Sequence, residues 1–198
     1  MTNPGQRVGR PREGRVDEAI LTATRELLAE TGYAGLTVDG VAARAGIGKA
    51  AIYRRHASKQ EMVFAAAIEG PEPEPPPDTG SLRGDLGALT RMVAASLGGP
   101  VASGVALRLL ADMLGTPALI ERAARVFVAP QRAALAELFR RAVRRGELER
   151  VPDVELLHAV VSGTSFLWLH IARHDPDELP ERLAHAIHAA LLTEDGPA

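Results

Sequence analysis

Apolar side chains recur at steps of three and four residues along most of the chain, and no stretch shows the two-residue alternation of a half-buried strand, so the pattern predicts helices throughout. Ile20, Thr24, Leu27 and Leu28 mark a first helix over residues 16–31, with Gly32 placed to end it. Thr37 stands where it can cap a second, short helix whose apolar positions are Val38, Val41, Ala42 and Ala45. Gly46-Ile47-Gly48 interrupts, and a third helix is predicted over residues 49–56. Ser58-Lys59-Gln60-Glu61 has the form of a capping box opening a fourth helix, with Met62, Val63, Ala66 and Ala67 on its apolar side.

Residues 70–80 read GPEPEPPPDTG, too rich in proline for a helix or a central strand, and separate this head from a body. Further helices are predicted over residues 81–97, 103–114, 117–145, 153–173 and 180–192, with Pro130 expected to kink or divide the third. The organisation is therefore all-α: a basic arm over 1–15, a helical head over 16–69, a linker over 70–80 and a helical body over 81–194. The arm holds Arg7, Arg10, Arg12 and Arg15 with almost no large apolar side chain, and is expected to be flexible.

Composition narrows the classes. At 198 residues with 46% apolar content, the chain can bury a core of its own. The longest apolar stretches, 101–114 and 156–172, are broken by Arg108, Asp112, His158 or Ser162, so no membrane span or membrane partner is expected. The polar, arginine-rich start resembles neither a secretory signal nor an anchor, and a cytoplasmic location is expected. With no cysteine, disulfides, thiol nucleophiles and cysteine zinc sites are excluded. The net charge is −2, yet residues 1–60 hold ten Lys or Arg against six Asp or Glu and the remainder 13 against 19. A basic head on an acidic body suits a polyanion, although the same imbalance also describes a solvated surface.

A short helix, a glycine-containing turn and a second short helix form a helix-turn-helix, whose second helix can enter the major groove of DNA. Geometry alone also admits an ordinary helical hairpin. The residues go further. ILTATRELLAETGYAGLTVDGVAARAGIGKAAIYRRHASKQEM, residues 20–62, resembles the DNA-binding head of TetR-family regulators. Leu27-Leu28, Gly32-Tyr33, Leu36-Thr37, Val41-Ala42, Ala45-Gly46-Ile47, Ile52-Tyr53, Lys59 and Met62 all fall at the family's spacings. Two positions depart: Gly48 stands where the family often has Ser or Thr, and His56 where it often has Phe or Trp.

The resemblance implies contacts to double-stranded DNA. Thr37 and neighbouring backbone amides would hold a phosphate, with Arg44 in reach of the groove. Lys49, Ala50, Ala51 and Arg54 would face base edges, Tyr53 and Arg55 would lean on the backbone, Lys59 would meet a phosphate, and Gly48 would lie at the DNA surface without the hydroxyl contact that Ser or Thr could make. The chemistry is sound, because Arg and Lys can bond guanine, an alanine methyl suits thymine and a helix N-terminus attracts phosphate. Core packing is the alternative for Tyr53, and plain solvation for Arg55 and Lys59. In the arm, Gly9-Arg10-Pro11-Arg12 is similar to the centre of an AT-hook, giving Arg10 and Arg12 a possible place in the minor groove beside the alternative of nonspecific attraction.

For the body, the resemblance implies a homodimer formed by the last two long helices and a pocket for a small-molecule effector, in a repressor released from a palindromic operator by that effector. The expected pocket residues are Met92, Met113, Phe127, Phe166, Trp168 and His170. The expected dimer residues are Leu157, Val161, Thr164, Trp168, His185 and His188. Residues 153–173 are apolar around most of the helix, as when one side meets its own core and another a second subunit. His170 and His174, and His185 and His188, have the spacing of metal pairs, but no carboxylate completes an HExxH motif, so neither metal nor cofactor is expected. No phosphate loop or nucleophile motif supports an enzyme. A DNA-binding regulator that answers to a protein partner is the remaining alternative.

Overall fold

The computed structural model describes residues 10–68, 75–98 and 100–193. Ten α-helices follow one another among the described residues, with no strand. Helix α1 spans Arg10–Gly35, and its backbone breaks helical geometry at Gly32, where φ is 66°. That conformation strains any residue with a Cβ, which explains glycine where the first helical face ends. The helix begins six residues before its expected start. Pro11 in its first turn suits a position where no backbone N–H is needed. Arg10 and Arg12 are therefore on a helix rather than in an extended arm, while residues 1–9 lie outside the described residues.

Helices α2 (Val38–Ala45), α3 (Lys49–Tyr53) and α4 (Lys59–Ile68) complete the head. The α3 helix stops at Tyr53, short of residue 56, and Arg54 and Arg55 form a turn. The capping box forms in a shifted version: Ser58 Oγ accepts from the Glu61 N–H at 3.1 Å, and the Glu61 carboxylate accepts from the Ala57 N–H at 2.7 Å. Helix α4 is buried from Met62 through Ala66, Phe64 and Ala65 included, whereas the expected Ala67 is exposed. Its wider burial arises because α1 covers one side and α6 the other.

The body contains α5 (Leu82–Gly98), α6 (Pro100–Leu114), α7 (Pro117–Ala123), α8 (Ala129–Arg144), α9 (Val154–Phe166) and α10 (Leu179–Thr193). Pro130 does divide the third predicted body helix, through a turn of π-helix over Ala124–Val128. Proline provides no N–H and crowds the carbonyl four residues back, and the wider π turn relieves both. A second π turn, Leu167–Ile171, continues α9 to two residues short of its expected end.

Two buried clusters form. One joins Ile20, Leu36, Val41, Ile52 and Phe64 of the head to Leu109 of α6 and Leu119 and Ala123 of α7. The other gathers Leu86, Leu138, Phe139, Leu183 and Ile187 within the body. The head core thus ends inside the body's own helices, which makes α6 and α7 the mechanical junction between them.

Candidate nucleic-acid interface and effector cavity

The turn between α2 and α3 follows from three local devices. Thr37 Oγ1 accepts from the Gly40 N–H at 3.0 Å and opens α2. Gly46 ends it in the left-handed region at φ 68°, and Ile47 N–H returns to the Ala42 carbonyl at 3.0 Å. Ile47 and Ala45 then pack against the head core, so α3 leaves at a fixed angle with Ile52 pointing inward. His56 is buried, occupying the interior site where an aromatic ring is usual in such heads. Gly48 caps α3 without a side-chain bond, and a Cβ there would meet open space.

Helix α3 consequently displays Gly48, Lys49, Ala50, Tyr53 and Arg54 to solvent, with Ala51 half-exposed. Tyr53 is 52% exposed, so core packing does not account for it. Arg54 makes no ion pair among the described residues and is a cation free to meet an anion. The other basic groups have protein partners. Lys49 pairs with Asp39. Arg44 is clamped by Glu30 at 2.7 Å and Glu26 at 3.2 Å on α1, contacts that raise its pKa. Arg55 pairs with Asp17 and also donates to the Ala51 carbonyl at 3.1 Å. Thr37 is exposed, and its hydroxyl proton stays available after accepting the cap bond.

Lys59 is not simply solvated: its ammonium donates to the Tyr33 carbonyl at 2.7 Å and lies 4.7 Å from the centre of the Tyr33 ring. Burial lowers its pKa, with Asp112 opposing and Arg108 reinforcing the shift. The Tyr33 hydroxyl donates in turn to Asp112 on α6, and burial followed by this bond raises the phenol pKa. The start of α4 is thereby tied through Tyr33 to the body. Asp112 had no signal in the sequence beyond interrupting an apolar run, since its partner lies 79 residues away.

A cavity of about 370 Å³ opens between α5, α8 and α9, walled largely by apolar side chains including Leu89, Val93 and Leu135. Met92, Phe127 and Phe166 line it. Three other expected pocket residues lie elsewhere. Met113 packs against the head core, because α6 turns that side toward α1. Trp168 donates its indole N–H to the Asp175 carbonyl at 3.0 Å and packs against His174 and Arg182. His170 is buried behind Phe166, edge-on at 4.9 Å, and burial followed by Arg173 lowers its pKa. The polar lining comes instead from Ser96, Gln131, His158 and Ser162, none of them expected in the pocket: His158 Nε2 is 2.9 Å from Gln131 Oε1, and Ser162 Oγ is 3.4 Å from the same nitrogen. The four-residue step from His158 to Ser162 was the available signal, but Gln131 comes from another helix.

Residues 20–66 match the family described as "Bacterial regulatory proteins, tetR family", and residues 76–191 match "Tetracyclin repressor-like, C-terminal domain". The chain belongs to the TetR family. It is 40% identical to an uncharacterized HTH-type transcriptional regulator of Mycobacterium tuberculosis over 145 residues, 73% of this chain and 71% of that one. With the uncharacterized HTH-type transcriptional regulator YdeS of Bacillus subtilis it shares 30% identity over 168 residues, 82% of each chain. The crystal structure of the TetR family transcription regulator SCO0332 superposes with a TM-score of 0.71 at 25% identity, covering 92% of this chain and 100% of that one. The chain is a transcriptional regulator, not an enzyme.

This regulator leaves an apolar face uncovered on α9 and the π turn after it. Leu156 and Leu167 are 60% and 57% exposed, and Val160 and Ile171 accompany them. The run Val154–Ile171 is long and apolar enough, by length and composition only, to cross a membrane, even with the His158 and Ser162 interruptions that argued against a span. The steps from 156 to 160, 167 and 171 keep these side chains on one stripe. Among the expected dimer residues, Val161 is instead buried in the body core and walls the cavity, and Leu157 packs half-buried against that core. Thr164, Trp168 and His188 are half-buried and His185 is exposed. The sequence pattern placed the outward stripe one position off, because a helix apolar on all sides carries no phase.

Proposed function

We propose that this regulator is a homodimeric, cytoplasmic repressor that holds a palindromic operator through α3 and leaves it when a small molecule fills the body cavity. The observation that carries the reading is the rigidly seated α3 with Lys49, Ala50, Ala51, Tyr53 and Arg54 on its outward side. Thr37 and Lys59 add phosphate contacts, each with a donor proton left beyond its internal bond. Arg44, Arg55 and Gly48 set the flank of the contact, and Arg10 and Arg12 are assigned to the adjoining minor groove by their Gly-Arg-Pro-Arg sequence. The apolar stripe of α9 and the π turn after it supports a two-fold partner, with His185 and His188 of α10 proposed as further interface residues. Such a dimer sets two copies of α3 about one DNA turn apart, roughly 34 Å.

Release is supported by continuity. Phe127 on the cavity wall lies in the π turn that directly follows α7, and α7 supplies Leu119 and Ala123 to the head core. A guest that moves Phe127 therefore pushes on the element the head rests against. A salt-dependent gel shift with DNA flanking the regulator's own gene tests the reading. Saturable, sequence-preferring binding to an inverted repeat is expected, and binding that follows charge density alone defeats it.

A further inference from the structure

The cavity wall has an unusual electrical character. Among the described residues that line it there is no Asp, Glu, Lys or Arg, and His158 is the one ionisable group. Burial, with Arg132 reinforcing it, pushes the imidazolium pKa below its ordinary value and favours the neutral ring. Arg132 itself is turned to Glu155, at 3.1 Å, rather than into the cavity. An amine guest would find no carboxylate, and a carboxylate guest would find no facing cation, so either would lose its hydration without a partner.

The wall is not uniformly apolar, however. With the Gln131 oxygen accepting, the His158 ring donates from Nε2, which fixes the glutamine amide. The Gln131 N–H donors and the Ser162 hydroxyl are then left to bond an oxygen acceptor, opposite the apolar surface of Met92, Phe127 and Phe166. Resting on the effector-site reading above, we infer that the cavity takes a neutral, largely apolar molecule bearing one hydroxyl or carbonyl oxygen, which Gln131 and Ser162 recognise while His158 positions the glutamine. The volume of about 370 Å³ lies within the range of small-molecule sites.

Equilibrium dialysis of the full-length protein against four probes of one shape tests this: 4-phenylphenol, biphenyl, biphenyl-4-carboxylate and 4-phenylbenzylamine. The phenol is expected to bind on the order of tenfold tighter than the hydrocarbon and than either ion, the scale of one well-made buried hydrogen bond. Gln131→Leu should erase the advantage over biphenyl while leaving biphenyl binding equal or stronger. Ser162→Ala, which removes one atom from a half-buried site, should reduce the advantage and serves if the glutamine variant does not fold. Equal binding of phenol and biphenyl, tightest binding of an ion, no binding of any probe, or an advantage untouched in the folded variants each overturns the inference. Gel shifts run with the phenol separate the two levels of the argument. Binding as inferred without release of DNA defeats the effector reading and leaves the ligand chemistry standing.

Discussion

Helices α2 to α4 and helix α9 are built from similar aliphatic side chains but distribute them differently. In the head, Val41, Ile52, Met62 and Phe64 all converge on one core, and what faces outward from α3 is polar or small apart from the Tyr53 ring. In α9, Val161 serves the body core and the cavity wall together, Phe166 serves the cavity, and Leu156 and Leu167 face outward. A segment with one apolar destination has a readable phase. A segment with three has apolar residues all round, and only the packed structure assigns them.

The largest expected effect breaks the single destination of the head. Phe64 is fully buried between α1 and the α6–α7 junction, with the Arg122 guanidinium 5.9 Å from its ring. Phe64→Ala is expected to cost about 3–5 kcal/mol in thermal or urea unfolding. Because Leu109, Leu119 and Ala123 share that core, hydrogen exchange should also rise along α6 and α7. Unchanged protection there would mean that head and body are coupled less than their shared core implies.

Next comes the outward destination of α9. Leu167→Glu places a carboxylate on the apolar stripe, and in a two-fold dimer the loss is counted twice. About 3 kcal/mol in total, hence roughly a 100-fold weaker dimer, is expected from the lost burial alone. Sedimentation velocity should give monomers with unchanged helical content. A dimer that survives with native affinity would assign this face to something other than self-association.

An ionic knot under the body offers a third, smaller test. Asp85 is fully buried and accepts from the Thr79 N–H at 2.7 Å, the Thr79 hydroxyl at 2.8 Å and Arg145 at 3.0 Å. Burial pushes its carboxyl pKa up, but the Thr79 and Arg145 bonds, helped by Arg141, prevail and hold it below the ordinary value. A depressed folded pKa means stability that is complete above the unfolded carboxylate value, about 3.9, and lost as pH falls through the folded value. Denaturation curves between pH 7 and pH 3 should therefore show Asp85→Asn less stable by about 1–3 kcal/mol at neutral pH. The gap to the unaltered protein should close in acid, and a constant gap would assign the cost to shape rather than charge.

What was legible in the sequence depended on range. Thr37 and Gly46 announce helix ends because a cap bonds within three or four residues, and the Asp153 side chain, not marked from the sequence, caps in the same way by accepting from the Leu156 N–H at 3.0 Å. The helix-turn-helix was legible for the same reason: its contacts lie within one short stretch of chain. The polar wall of the cavity was not, since the partners His158 and Gln131 stand 27 residues apart on different helices. Nor were the π turns, which answer to Pro130 and to tertiary packing rather than to periodicity. Trp168 and His170 drew attention by residue type, yet the π turn carries both away from the cavity that Phe166 enters.

The smallest structural effect is the one that isolates the contact surface. Tyr53→Ala removes a half-exposed ring from α3 and should alter unfolding by no more than about 0.5 kcal/mol, as for other surface changes. If that ring leans on the DNA backbone, operator affinity should fall about tenfold in fluorescence anisotropy, the equivalent of one lost contact. Lys59→Ala is the necessary contrast, because its ammonium is already bonded to the Tyr33 carbonyl and lies over the Tyr33 ring. It should weaken DNA binding and lower the melting temperature together, whereas Tyr53→Ala separates the two. Equal melting losses in both variants would place Tyr53 among the side chains that hold the head together, and its exposure would then be a poor guide to its work.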